Sequence, residues 1–116
     1  MKTRIEKNYQ IEAVQGNGAT VIYVHNDKDW QLDDHVLSCH EGGDYLYETL
    51  QDAEDDFEEA KKIFFEQHKN CLGFYKEIRI VENINILTQE DDDDDFEYTD
   101  FEEKIVIRFH NLRMSR

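Results

Sequence analysis

The sequence predicts an α+β fold, in which one long amphipathic helix packs on an antiparallel sheet in the order β-β-α-β-β. Three observations lead to this prediction: a hairpin signal near the amino terminus, a helical repeat of apolar residues in the middle, and alternating apolar residues after it. With 116 residues, the chain is expected to form a single domain, 1–116, around one hydrophobic core.

The hairpin signal lies between two runs of strand-forming residues. Apolar side chains at positions 5, 9 and 11 predict a first strand, and residues 19–24 are apolar on both faces, as in a central strand. Gly16-Asn17-Gly18 separates the two runs, and Asn-Gly favours a tight turn because both residues tolerate a positive φ. Residues 25–43 are polar and irregular around Trp30, and they end in Gly42-Gly43.

The helix is predicted from Asp44 to about Asn70, with Asp44 as its N-cap. Its apolar residues recur at alternating spacings of four and three, which places them on one face toward a core. They are Leu46, Leu50, Ala53, Phe57, Ala60 and Phe64.

Two further strand regions are predicted after the helix. Ile78, Ile80, Ile84 and Ile86 share one parity and are interrupted at Glu82, which fits either one long strand with a bulge or two short strands. A last strand is predicted over residues 105–109. The acidic segment between them predicts a mobile loop at about 90–100.

Charge and composition limit the classes of function. The chain carries 28 acidic and 13 basic residues, a net charge of −15, and residues 27–103 alone carry −20. Carboxylates at this density repel one another and destabilise a compact domain, which indicates that the domain needs them for its function. The same charge disfavours direct binding of nucleic acid. Two cysteines, no signal-peptide pattern and no long apolar run favour a cytoplasmic protein.

One candidate binding surface is the acidic side of the predicted helix. Carboxylates there recur at helical spacing, on a scale similar to that of phosphates along nucleic acid. Like-charge pairs four residues apart weaken a helix, and a helix that only needs to be soluble would alternate its charges. We therefore expect these carboxylates to bind a basic partner; the alternative is a face that is only solvated. The residues are Glu48, Asp52, Asp55, Asp56 and Glu59.

The second candidate surface is the run of aspartates and the aromatic residues that follow it. Aromatic rings beside carboxylates suit a groove rich in Arg and Lys, through stacking and cation–π contacts. The run lacks the alternation and the central Gly of a calcium-binding loop. The candidate residues are Asp91, Asp92, Asp93, Asp94, Asp95, Phe96, Glu97 and Tyr98, with Phe101 as a further anchor.

No catalytic motif and no phosphate-binding glycine loop is found, so neither an enzyme nor a cofactor is predicted. One metal-binding alternative has the form of a Cys2His2 zinc site. It combines His35 with Cys39 and His68 with Cys71, and His25 or His40 are alternates, but this spacing matches no standard zinc finger.

In its size, acidity and single-helix α+β layout, the chain resembles the small anti-defence proteins of phages and mobile elements, such as anti-CRISPR proteins and DNA mimics. The resemblance implies a non-catalytic inhibitor in a bacterial host cell that occupies the basic nucleic-acid-binding groove of a defence nuclease, for example Cas9. The alternative is an immunity protein or antitoxin that neutralises a basic nuclease toxin. Both imply a basic protein, or its RNA-guided complex, as the partner.

Overall fold

The computed structural model of the chain describes residues 1–39 and 44–109. The fold is α+β, as the sequence predicts, with a five-stranded antiparallel sheet and one long helix. The elements in chain order are β1 (Lys2–Gln15), β2 (Thr20–Val24), β3 (Asp29–Leu32), α1 (Asp33–Cys39), α2 (Leu50–Gln67), β4 (Tyr75–Gln89) and β5 (Glu97–Phe109). The strands lie in the order β3-β2-β1-β4-β5.

The order of elements differs from the predicted β-β-α-β-β, because β3 and α1 occupy part of the segment expected to be irregular. The long helix also begins later than expected. Its N-cap is Thr49, whose hydroxyl accepts a hydrogen bond from Asp52 N at 3.1 Å, and Asp44 lies outside the helix. The predicted end of the irregular segment, Gly42-Gly43, lies outside the described residues.

The amino-terminal hairpin forms as predicted, with β1 and β2 paired through residues 12–14 and 20–22. Gly18 N donates to Gln15 O at 3.0 Å and closes the turn. Gly18 has a φ of 93°, a conformation that glycine adopts at no steric cost. The turn therefore explains why glycine stands at this position.

The main core lies between α2 and one face of the sheet. Side chains of β1, β2 and β4 that point to this face include Ile11, Tyr23 and Ile80, all buried. The helix contributes Ala53, Phe57, Ala60 and Phe64, four of the six residues predicted for its apolar face. Burial of these apolar side chains holds α2 against the sheet.

The opposite face of the sheet has a smaller apolar cluster. Val36 of α1 packs against Ile22 and Val24 of β2, with Tyr45 at its side. Because successive side chains of a strand point to opposite faces, α1 and α2 lie on opposite sides of the sheet. The main contacts of α1 are with β2 and β3, so no helix among residues 1–39 and 44–109 covers much of this face of β1, β4 and β5, which we call the uncovered face.

Three strands extend beyond α2 as an arm, formed by residues 2–8 of β1, 83–89 of β4 and 97–103 of β5. β4 is one long strand, the first of the two predicted alternatives, and its pairing with β5 shifts register between Ile80 and Val81 and between Ile86 and Leu87. β5 begins at Glu97, so the last four residues of the predicted loop at 90–100 are strand. The arm makes the molecule elongated, 61 × 27 × 24 Å.

Both long edges of the arm are open in the described part of the chain. β5 pairs with β4 alone, and β1 pairs with β2 only near residues 12–14, so residues 2–7 pair on one side. At Tyr9 the second side is taken by Tyr47, whose backbone exchanges hydrogen bonds of 2.8 and 2.9 Å with it.

Candidate partner-binding surface

Helix α2 presents acidic side chains on the side that faces away from the sheet. Asp52, Asp55 and Glu59 are exposed, because residues three and four apart share a helix face and the apolar positions occupy the other one. From Asp52 to Glu59 the row extends about 10 Å, at about 1.5 Å per residue. Glu48 is exposed as well, but it precedes the first helical residue instead of lying on the helix.

Asp56 differs from the other helix acids because it is half-buried and bonded within the molecule. The hydroxyl of Tyr47 donates to Asp56 Oδ2 at 2.8 Å, and the ring of Tyr47 contacts His25 at 4.5 Å between centroids, with the two planes tilted by 38°. Burial, followed by the hydrogen bond to Asp56, raises the pKa of Tyr47. Asp56 therefore fastens the segment before α2 to the helix, in addition to adding negative charge.

Glu59 and Asp56 influence a buried tyrosine beneath the helix. Burial and the charges of Glu59 and Asp56 raise the pKa of Tyr23 to about 12. Glu59 also forms an exposed ion pair of 3.4 Å with Lys28, which adds little stability because both side chains remain in water. The carboxylates of this face therefore act on the hydroxyl of a buried tyrosine as well as on groups at the surface.

The aspartate run forms the turn between β4 and β5, at the far end of the arm. Asp94 N donates to Asp91 O at 3.0 Å, and all five aspartates, Asp91, Asp92, Asp93, Asp94 and Asp95, are exposed. Lys2 pairs with Asp92 at 2.9 Å. A cation of the first strand therefore contacts the turn and offsets part of its charge.

The aromatic residues after the turn occupy different environments. Phe96 is half-buried, and the guanidinium of Arg4 lies 4.6 Å from the centre of its ring. Tyr98 is 71% exposed and Phe101 is 51% exposed, while Glu97 is exposed at the start of β5. Tyr98 and Phe101 are accessible to a partner, whereas Phe96 packs within the arm.

The two acidic surfaces lie apart. Tyr47, which leads into α2, is bridged to Tyr9 of β1, and residues 2–8 of β1 continue beyond that point for about 20 Å at about 3.3 Å per residue. The acidic turn lies at the end of this extension, so the helix face and the turn are separate patches along one elongated molecule.

A polar network that the sequence analysis missed crosses the uncovered face of the sheet. Arg79 donates to Glu12 at 2.6 Å and to Glu77 at 3.4 Å, and Arg108 donates to Glu77 at 3.4 Å. Asn83 donates to Asn8 and to Gln10, both at 3.0 Å. The signal was the polar residues at 8, 10 and 12, which alternate with apolar residues at 9, 11 and 13.

The residues of the zinc alternative lie on different sides of the sheet. His35 belongs to α1, whereas His68 follows α2 and stacks on Phe64 with 4.5 Å between ring centroids. Cys71 is a half-buried free thiol, and the side chain of Cys39 and residue His40 lie outside the described part. Within the described residues, no group of three or more His, Cys, Asp or Glu is placed to hold a metal ion.

Comparison with known proteins gave no match to a family model, to a curated protein or to a solved structure. Of the helices in the described ranges, none has the length and apolar character needed to cross a membrane.

Proposed function

We propose that this protein is a non-catalytic inhibitor that mimics the charge of nucleic acid and occupies the basic nucleic-acid-binding groove of a host defence nuclease, as an anti-CRISPR protein acting on Cas9 does. The partner is then a basic protein or its RNA-guided complex. No cofactor and no direct contact with nucleic acid form part of this mechanism.

The observation that carries the proposal is the exposed row of carboxylates on α2. Asp52/Asp56 and Asp55/Glu59 are like-charge pairs four residues apart, and each weakens the helix by a few tenths of a kcal/mol. A basic groove relieves this repulsion on binding, because its Lys and Arg side chains then lie against the row. The acidic turn adds a second point of contact further along the molecule.

A second candidate, an immunity protein or antitoxin for a basic nuclease toxin, draws on one specific observation. Tyr98 is 71% exposed and directly follows Glu97, and tyrosines are frequent anchors of protein–protein interfaces. This ring suits an interface with a folded nuclease domain, and it is also compatible with the groove of the first candidate.

The experiment is an inhibition titration against two sets of enzymes, defence nucleases of the host and nuclease toxins encoded beside the gene. We expect DNA binding or cleavage by one of them to fall linearly with added protein and to stop at a fixed stoichiometric ratio. Inhibition of a toxin alone selects the second candidate. Turnover of a substrate by the purified chain contradicts both.

A charge-matched pair of variants tests the role of the helix face. Asp52→Lys with Glu59→Lys reverses two carboxylates of the row, whereas Glu54→Lys with Glu58→Lys makes the same charge change on another exposed side of α2. We expect the first variant to lose at least ten times more affinity than the second, with both folded by circular dichroism. Equal losses would show that only net charge matters.

A further inference from the structure

The uncovered face of the sheet contains a cavity of about 400 Å³ at the base of the arm. The pairing of β1, β4 and β5 places Asn8, Asn83 and Glu103 side by side in one row across the strands. The next row along the arm contains Asn85 and Phe101. Because directly opposite residues of paired strands share a face, these side chains line the cavity together.

The charge of the cavity is negative, despite the presence of one arginine. Arg79 in its lining pairs with Glu12 at 2.6 Å and with Glu77 at 3.4 Å, and Glu77 is shared with Arg108. Asp33 and Glu103 add two further carboxylates to the lining. An anion is therefore a poor ligand for this cavity, and a cation is a suitable one.

The hydrogen bonds of Asn83 define what it can offer to a ligand. Asn83 is 6% exposed, and its amide nitrogen donates both of its hydrogens, to Asn8 Oδ1 and to Gln10 Oε1. Gln10 is itself oriented by donating to Glu12 at 3.0 Å. The side-chain group that Asn83 presents is consequently its carbonyl oxygen, which is an acceptor.

We propose that this cavity receives an arginine side chain of the partner. The guanidinium donates to the carbonyl oxygen of Asn83 and to the carboxylate of Glu103, and its plane lies on the ring of Phe101, which is 51% exposed. A guanidinium suits these groups better than an ammonium, since it is planar, has five donors and stacks on aromatic faces. The inference rests on the proposed function, in which the partner is basic.

The first test titrates the full-length protein with three capped amino acids, acetyl-arginine amide, acetyl-lysine amide and the neutral isostere acetyl-citrulline amide. Heteronuclear NMR follows the side-chain amides of Asn83 and Asn85 and the ring of Phe101. We expect saturable shifts with arginine at these groups, and at least tenfold weaker binding of citrulline. Shifts of equal size with citrulline, or shifts confined to α2 and the acidic turn, overturn the proposal.

The second test uses neighbouring glutamates that point to opposite faces of β5. Glu103 lies opposite Asn83 and lines the cavity, whereas Glu102 lies opposite Ile84 on the other face. We expect Glu103→Gln to weaken arginine binding at least fivefold and Glu102→Gln to leave it within twofold. Equal weakening by the two substitutions overturns the site, because both remove one charge from the same exposed strand.

Failure of the arginine site and failure of the inhibitor proposal give different results. If Phe101→Ala and Glu103→Gln leave inhibition of an identified nuclease unchanged while the charge reversal on α2 abolishes it, the cavity proposal fails and the inhibitor stands. If no nuclease is inhibited but arginine binds as described, the cavity stands as a guanidinium site and the inhibitor fails.

Discussion

Phe64 shows how a single residue of α2 joins the helix to two strands of the sheet, β3 and β4. Its ring is fully buried and lies 5.1 Å from Trp30 and 4.9 Å from Tyr75 between centroids, in edge-on contacts. Trp30 in turn donates its indole N–H to Ala60 O at 2.9 Å. The apolar repeat predicted this position correctly, whereas its partners come from distant parts of the chain.

Phe64→Ala is expected to lower the free energy of unfolding by about 3–5 kcal/mol, the usual cost of removing a fully buried aromatic ring. Urea unfolding followed by circular dichroism measures the loss. Phe74→Ala serves as the control, since Phe74 is 70% exposed, and its effect is expected to stay within about 0.5 kcal/mol. Similar losses for both variants contradict the placement of Phe64 in the core.

His68 is expected to make stability depend on pH. Burial lowers its pKa, although the Phe64 carbonyl and Asp29 act in the opposite direction. The unfolded chain therefore binds the proton of His68 more tightly than the folded protein does. The contribution of neutral His68 to the free energy of unfolding is present above the unfolded pKa of about 6.5 and is lost as the pH falls through the folded pKa. We expect the urea midpoint of unfolding of the wild type to decrease, relative to that of His68→Gln, when the pH is lowered from 7.5 to 5. A difference that is constant with pH contradicts this.

At the scale of elements, the sequence predicted those whose apolar pattern is long and regular. α2 and the β1–β2 hairpin have such patterns. β3 and α1 have four and seven residues, and elements of this length are too short for an apolar period to be recognised. The first half of β5 was missed because its alternation is hidden by acids on both faces, and its strand form comes from pairing with β4.

The candidate surfaces were predictable as acidic sequence, but their partners within the molecule were not. The contact of Tyr47 with Asp56 spans nine residues, and that of Lys2 with Asp92 spans most of the chain. The polar network of the sheet likewise joins β1 with β4 and β5. The contacts between strands depend on their register, and that of Tyr47 depends on how the segment before α2 docks; neither can be read from a local pattern.

Replacing Asp91, Asp92, Asp93, Asp94 and Asp95 with Ser and Gly is expected to slow association with the partner more than it alters folding. The turn has one described backbone hydrogen bond, between Asp94 and Asp91, and no buried side chain, so it contributes little to stability. Stopped-flow association and thermal unfolding measure the two effects. Hydrogen exchange supplies a check: strong protection of residues 91–95 in the free protein contradicts the expected mobility.

Tyr98→Ala and Phe96→Ala are expected to have different consequences. Tyr98 is 71% exposed, so its removal should leave the melting temperature unchanged and speed dissociation of the complex. Phe96 is half-buried against Arg4, so its removal should lower the stability of the arm. Surface plasmon resonance and thermal unfolding separate the two outcomes. If the two variants have the same dissociation rate and the same melting temperature, the assignment of Tyr98 to binding and of Phe96 to stability is wrong.

At the scale of the whole molecule, the net charge of −15 is carried on an elongated body of 61 × 27 × 24 Å. Charge spread in this way acts over a distance before contact is made, and its range is set by salt. The screening length falls from about 10 Å at 0.1 M salt to about 3 Å at 1 M.

The association rate constant with the partner is accordingly expected to fall at least tenfold between 0.1 M and 1 M salt, while the dissociation rate constant changes less. Stopped-flow measurements at several salt concentrations give both constants. The variant with Asp52→Lys and Glu59→Lys should show a shallower dependence. A rate that is insensitive to salt contradicts steering by the acidic surfaces.

The open edges of the arm have a consequence for the solubility of the protein. An unpaired strand edge is a template on which another copy can add, and charged side chains along it are the common protection. β5 carries four exposed carboxylates before its apolar end, at Glu97, Asp100, Glu102 and Glu103. The acids that attract a basic partner therefore also keep copies of this chain apart, and a protein stripped of them becomes prone to aggregate.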